Sequence, residues 1–322
     1  PDIQNAQATY VGKDTVIKAD ATENGNGGKV IVWGDDATRA YGSIFARGGA
    51  IGGNGGFVET SGGYLDVRRA PDVWAPKGAA GSWLLDPEDI TIAALPIGGT
   101  NISAGPTFQP LATNTTTILD RNILQTYLNS TGNATVDTTS IGVPTGTATP
   151  GNITVSDSVT WTSPNSLTLN AANNISINAA ITGGSGTLTL NAPGSITQTA
   201  GFLVKGLELL GGGTYTLNSS NVIGPLGLAG EVGSLSLTTS GPLWVRTVNT
   251  TDGLTATGNV SLNANNGGIG IFGEISIGAP ITTPGDVTLN ADAAVTQTQP
   301  ITAAGLALLG GVAYTLDTTS DS

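Results

Sequence analysis

Seven times between residues 167 and 317 the chain returns to one phrase: an apolar residue, a small hydroxyl residue, Leu, then usually Asn. The copies read Leu167-Thr168-Leu169-Asn170, Leu188-Thr189-Leu190-Asn191, Tyr215-Thr216-Leu217-Asn218 and Leu235-Ser236-Leu237-Thr238. They continue as Val260-Ser261-Leu262-Asn263, Val287-Thr288-Leu289-Asn290 and Tyr314-Thr315-Leu316-Asp317. Apolar and polar residues alternate, as in a strand with one buried face and one wet face. The recurrence predicts one short unit stacked many times. The central Leu residues are 21, 27, 20, 25, 27 and 27 positions apart. A step near two dozen fits one turn of a parallel β-helix, built from three short strands and three corners. It is too short for a propeller blade and lacks the helical pattern of ankyrin or tetratricopeptide repeats.

A longer repeat overlies the short one. Residues 190–199 match 289–298, Leu209-Leu210-Gly211-Gly212 matches Leu308-Leu309-Gly310-Gly311, and Tyr215 matches Tyr314, all at an offset of 99. Four of the shorter steps cover that offset, so a duplicated block of four turns is expected. Nearer the N-terminus, Val16, Val30, Ile44 and Val58 stand 14 apart and glycine pairs punctuate them. Two such steps make one turn, with glycine-rich corners.

Residues 93–150 break the rhythm with Gly, Pro, Thr and Asn. Within them Ile123, Leu124, Tyr127 and Leu128 share a helical face, with Asp120 as N-cap and Gly132 beyond the end. The expected architecture is therefore an all-β, parallel β-helical solenoid with one short helix. It has glycine-rich turns over 1–92, an excursion over 93–150 whose helix packs on the rod, and regular turns with the duplication over 151–322. At about 4.8 Å per turn and about 13 turns, the rod would be roughly 60 Å long.

Charged residues make up 11% of the chain, against 39% hydrophobic, and the periodicity argues against disorder. The net charge is −12 and the 11 basic residues form no stripe, so nucleic acid and anionic membranes are poor partners and no membrane insertion is expected. Cys, Met and His are absent. That excludes a disulfide framework, thiol chemistry, the common nucleophile–base pairs and zinc sites. Pro1 reads as the start of a processed or excised piece.

Three stretches carry a family resemblance: Gly27-Gly28-Lys29-Val30-Ile31-Val32-Trp33, Gly55-Gly56-Phe57-Val58-Glu59-Thr60-Ser61-Gly62, and Gly81-Ser82-Trp83-Leu84-Leu85-Asp86-Pro87-Glu88-Asp89-Ile90-Thr91-Ile92. With the later Leu-Thr-Leu-Asn phrases, they resemble large bacterial exoproteins of the filamentous haemagglutinin type, a family of two-partner secretion, adhesion and haem utilisation. Trp83, Leu84, Leu85, Asp86 and Pro87 form the most specific part of the likeness. The resemblance implies a right-handed parallel β-helix and export through a partner transporter in the outer membrane of a Gram-negative bacterium. It implies an extracellular or cell-surface location, and contact with a host or neighbouring-cell ligand, a glycan among the candidates. The chain would be an interior excerpt of a longer protein. The family supplies no general catalytic residues or cofactor.

What chemistry remains is carboxylate chemistry. The densest acidic group is Asp86, Glu88 and Asp89, where Asp86-Pro87 also reads as a turn opening. Gly52-Gly53-Asn54-Gly55-Gly56-Phe57 lacks the Asp that a calcium nonapeptide repeat needs at position 57, so it reads as a glycine corner. Asn170, Asn191, Asn218, Asn263 and Asn290 are expected to stack as a structural amide ladder, with sugar binding by the same row as the alternative. Nine Asn-x-Ser/Thr sequons occur, among them Asn129, Asn133, Asn174, Asn249 and Asn259, in a chain already rich in those residues. Three functions remain in play. The first is a non-enzymatic adhesin rod segment, the second a fibre subunit associating head to tail, and the third a polysaccharide-acting enzyme.

Overall fold

The computed structural model describes residues 4–87, 89–94, 116–139, 151–264, 273–310 and 313–316. The chain forms two compact units, Pro1–Ala172 and Asn173–Ser322. Each is a parallel β-helix.

In the first unit, one column of parallel strands comprises Lys29–Ala40, Phe57–Val67, Ser82–Asp86, Asn133–Asp137 and Leu167–Asn170. Val30, Val58, Trp83, Ala134 and Leu167 lie side by side along it, and all are buried. The 14-residue rhythm thus joins Val30 to Val58. It slips by one at its start: Ile17, not Val16, lies beside Ile44, and Val16 is 56% exposed.

The excursion re-enters the ladder out of chain order. Thr116–Asp120 pairs with one edge of Asp89–Ala93, whose other edge pairs with Ile153–Val155. The Leu65 backbone N–H donates to Thr117 Oγ1 at 3.0 Å, so the returning strand lies against Phe57–Val67 as well. The helix Arg121–Ser130 follows at once. Asp120 caps it by accepting from the Asn122 N–H, and the Thr131 N–H closes it onto the Tyr127 carbonyl.

This helix is a wall of the unit, not a cover laid on it as expected. Leu124, Tyr127 and Leu128 are fully buried, and Tyr127 meets Trp83 edge-on at 5.1 Å between ring centroids. Its polar face imitates a strand. The side-chain oxygens of Gln125 and Asn129 accept the backbone N–H groups of Thr160 and Thr162, each at 2.8 Å. Four helical residues rise about 6 Å, close to the rise of two strand residues at about 3.3 Å each. An i, i+4 pair of amides therefore matches alternate donors on the next strand.

In the second unit, Leu217, Leu237, Leu262, Leu289 and Leu308 lie in register on successive turns. The first four are fully buried. Leu190 belongs to another column, with Leu209, Gly230, Leu254, Ile281 and Ile301. Tyr314 belongs to a third, beside Val295. The seven phrases are therefore spread over more than one face.

The duplication shows the same displacement. Local pairing repeats at the offset of 99: Leu190 pairs with Leu209 as Leu289 does with Leu308, and Ile196 with Tyr215 as Val295 does with Tyr314. The Tyr215 hydroxyl donates to the Leu210 carbonyl, and the Tyr314 hydroxyl to that of Leu309. Yet Leu289 stands on the column of Leu217, not on that of Leu190. The duplicated block spans four turns and one further strand, which corrects the expectation of four whole turns. The physical reason is that an amphipathic strand with the same corner chemistry fits any face.

Leu262 sits between Leu237 and Leu289 with no exposure. Leu262→Asp places an unpaired carboxylate in that column and should cost several kcal/mol, of the order of 3–5. Denaturant unfolding should show the midpoint fall by that measure. An unchanged midpoint would contradict the register.

Candidate functional site

The amide row is a mixed one. Thr238, Asn263 and Asn290 lie in register, and Asn218 Oδ1 accepts from the hydroxyls of Ser236 at 2.9 Å and Thr238 at 3.4 Å. Asn191 instead lies beside Leu210, and Asn170 beside Asp137, to which its Nδ2 donates at 2.7 Å. The expected single ladder of Asn170, Asn191, Asn218, Asn263 and Asn290 therefore does not form, because these residues lie on different columns.

A different set of asparagines bonds across turns. Asn26 Oδ1 accepts the Asn54 N–H at 2.8 Å, and Asn54 Oδ1 accepts the Ala79 N–H at 3.0 Å. Asn133, Asn174 and Asn259 do the same for Ser166, Ser195 and Asp286. Each replaces a ladder bond where the chain turns a corner. The signal was present in the sequence as Asn at the start of a strand, then an inward apolar residue, then an outward hydroxyl: Asn133-Ala134-Thr135, Asn174-Ile175-Ser176, Asn259-Val260-Ser261. That order is also a sequon, so corner geometry alone generates these sequons.

The phrase with the family likeness is a rung. In the strand Ser82–Asp86, Trp83 and Leu85 point inward without exposure, and the Trp83 indole N–H donates to Thr60 Oγ1 at 3.1 Å. Pro87 is buried directly after the strand, and Leu84 lies outward beside Glu59 and Thr135. Asp86 is 4% exposed, and Asp89 Oδ1 accepts the Asn152 N–H at 2.6 Å. Glu88 lies outside the described residues. Among the described residues no group of three or more acids could hold a metal ion.

Above the glycine corners of the first unit runs a groove of about 520 Å³. Asn26, Asn54 and Asn133 line it, with Lys29, Phe57 and the glycine corners between them. The Lys29 ammonium stands 5.2 Å from the Phe57 ring centroid. Glycine is required in the floor: a Cβ on Gly56 would lie 2.1 Å from the Gly28 carbonyl oxygen, and one on Gly81 2.0 Å from that of Gly56. Sequence reasoning missed the groove, because three separate turns build it.

A second polar cluster lies farther along the same strands, past the register shift between Gly34 and Ala37, where Tyr10, Arg39 and Asp66 are in register. Asp66 is 6% exposed; it accepts from the Tyr41 hydroxyl at 2.8 Å and pairs with Arg68 at 2.8 Å. The Tyr41–Asp66 bond clamps adjacent turns together. Burial, and then the Asp66 charge and hydrogen bond, hold the Tyr41 phenol well above its ordinary value. Burial does the same for Tyr127 and Tyr215.

With this geometry in hand, no family model matches the chain and no curated protein matches it.

Two outcomes follow from the site. Gly81→Val forces a side chain onto the Gly56 carbonyl and should destabilise the fold by about 1–3 kcal/mol or more, read by denaturant unfolding. Wild-type stability should also fall in alkali. The fold favours the protonated phenols of Tyr41, Tyr127 and Tyr215, so their contribution is complete below the unfolded value of about 10 and lost as pH rises past it. Their tyrosinate absorbance should appear together with unfolding. Ionisation of all three while the fold persists would contradict their burial.

Proposed function

We propose that the chain is a non-enzymatic, β-helical segment of a large secreted bacterial exoprotein of the filamentous haemagglutinin type, and that it makes contact with a cell surface. On this reading it leaves a Gram-negative cell through an outer-membrane transporter and works outside. The observation that carries the reading is the seating of Trp83 and Leu85, from the phrase most characteristic of the resemblance, inside a rung of a parallel β-helix. The acids nearest to it support the same view, since Asp86 is buried and Asp89 holds a backbone N–H. Neither is disposed as an acid–base pair on an open face.

The groove over the glycine corners is the surface best suited to contact with a glycan. It offers amides one turn apart, about 4.8 Å, one ammonium and one aromatic ring, and no carboxylate lines it. Beads coated with the 322-residue chain should adhere to cells, and Lys29→Ala with Phe57→Ala should reduce adherence at unchanged thermal stability. The same chain should release no reducing ends from a panel of polysaccharides. Absence of adherence would remove the adhesin reading, and depolymerisation would install the enzyme in its place.

A fibre is the second reading, and one observation favours it. Leu306 and Leu308 are 42% and 36% exposed, whereas their counterparts Leu207 and Leu209 are fully buried beside Leu228 and Gly230 of the next turn. A strand laid over Leu306 and Leu308 would bury them in the same way; further chain or a second copy could each supply it. Light scattering that grows with concentration, and is abolished by Leu308→Glu, would separate the fibre from the simple segment.

A further inference from the structure

Residues 173–322 contain only two basic side chains, Lys205 and Arg246, and one tryptophan, Trp244. The fold brings all three to one place. A Cβ on Gly224 would lie 3.1 Å from the Lys205 Cα, which sets Lys205 against the turn that carries Pro225. Arg246 Nη1 donates to the Pro225 carbonyl at 2.8 Å, and its guanidinium stands 5.5 Å from the Trp244 ring centroid. Two residues before Lys205 and Gly224 on the same strands, Leu203 and Val222 are in register and face outward, 45% and 40% exposed. Their chain neighbours Phe202, Val204 and Ile223 face the core.

These outward positions depart from the pattern around them. Leu203 has Thr182 as its neighbour on the preceding turn. Trp244 is followed outward by Ser276, Thr296 and Thr315 on successive turns. Aliphatic residues thus replace hydroxyls where the cations stand. Neither cation takes part in an ion pair among the described residues. The carboxylate nearest in sequence to Lys205 is already engaged. Glu208 is 6% exposed and accepts from Thr189 Oγ1, Asn249 Nδ2 and Thr251 Oγ1 at 2.8, 2.6 and 2.7 Å, beneath the hairpin of Thr247–Val248 and Thr251–Asp252.

We propose that this surface docks an acidic peptide segment that carries an aliphatic side chain beside its carboxylates. The two cations set the sign of the partner in a chain whose net charge is −12. Leu203 and Val222 are best matched by an aliphatic side chain opposite them, which an acidic peptide supplies beside its carboxylates. Arg246 stands over one face of Trp244 and competes there with any stacking sugar. Two cations, worth about 1 kcal/mol each near an anionic bilayer, are too few to hold this acidic chain on one. The surface belongs to the second unit alone and holds whichever parent protein the chain serves.

The test uses the whole chain and a fluorescent peptide of alternating Asp and Leu, compared with a Lys–Leu peptide, a heparin oligosaccharide and phosphatidylserine vesicles. The acidic peptide should bind saturably and the basic one should not, and added salt should weaken the complex. Lys205→Glu with Arg246→Glu should reduce affinity about tenfold or more, as should Leu203→Ser with Val222→Ser. Thermal unfolding should be unchanged, because all four side chains are exposed; Lys205→Gln with Arg246→Gln serves where charge reversal disturbs the fold. Equal binding of both peptides, or binding that survives the charge changes, overturns the proposal. Binding of heparin or vesicles without the peptide assigns the surface to another class of partner and overturns it too. Adherence of coated beads without peptide binding would defeat this inference and leave the adhesin reading standing.

Discussion

Everything in both units depends on the parallel ladder between turns. A strand in such a ladder has no freedom to choose its facing: its inward residue must lie on the inward residue of the turn before it. Leu217, Leu237, Leu262 and Leu289 show the result, four leucines stacked in register and fully buried. The same constraint sets the outer face, where the intervening positions repeat as Thr and Ser. Turn length can vary because an insertion at a corner leaves the next strand's register untouched, which is why the steps along the one column Leu217, Leu237, Leu262, Leu289 and Leu308 range from 19 to 27.

The ladder's weak points are its corners, where backbone donors lose their partners. Two devices answer this. Glycine lets the chain pass within contact distance of the carbonyl below, as at Gly56 and Gly81. Asparagine supplies a side-chain oxygen in place of a backbone one, as at Asn54, Asn133, Asn174 and Asn259. The helix Arg121–Ser130 uses the second device on a larger scale, since Gln125 and Asn129 accept alternate donors of the following strand. A helix can therefore stand where a strand would, provided its outer amides fall at i, i+4 and its inner face is apolar.

Much of this was legible from residue order. Alternation within the Leu-Thr-Leu-Asn phrases gave the inward side of their strands, whereas the 14-residue rhythm chose Val16 over Ile17; Asp120 announced the helix through its capping chemistry. The column assignment was not legible. Leu-Thr-Leu-Asn is equally good on any face, so Asn191 and Asn263 look equivalent in sequence and stand on different columns. The extra strand in the duplicated block escaped for the same reason, because 99 residues fit four steps between phrases whether or not those phrases share a face. The placement of Thr116–Asp120 between strands that precede it in the chain is a long-range event with no local signal. The groove was hidden too, since no single segment contains it.

In a fold this regular, information lies in the departures. A Thr or Ser on the outer face is the default of the ladder and carries no inference. A carboxylate there that is buried, such as Glu208, shows that something covers it, and the hairpin around Asn249 does so through two side-chain donors, in a left-handed residue at φ 52°. An aliphatic residue that stays exposed shows the opposite, a place the chain leaves uncovered. Leu203 and Val222 are such residues; Lys205 follows on the same strand, and Arg246 reaches the Pro225 carbonyl on the next. Chance placement of two basic residues would set them anywhere along the unit's many outward positions. Their convergence on the strands that carry the exposed aliphatic pair, from separate turns, is what distinguishes a docking surface from the tolerated scatter of apolar side chains found on any protein.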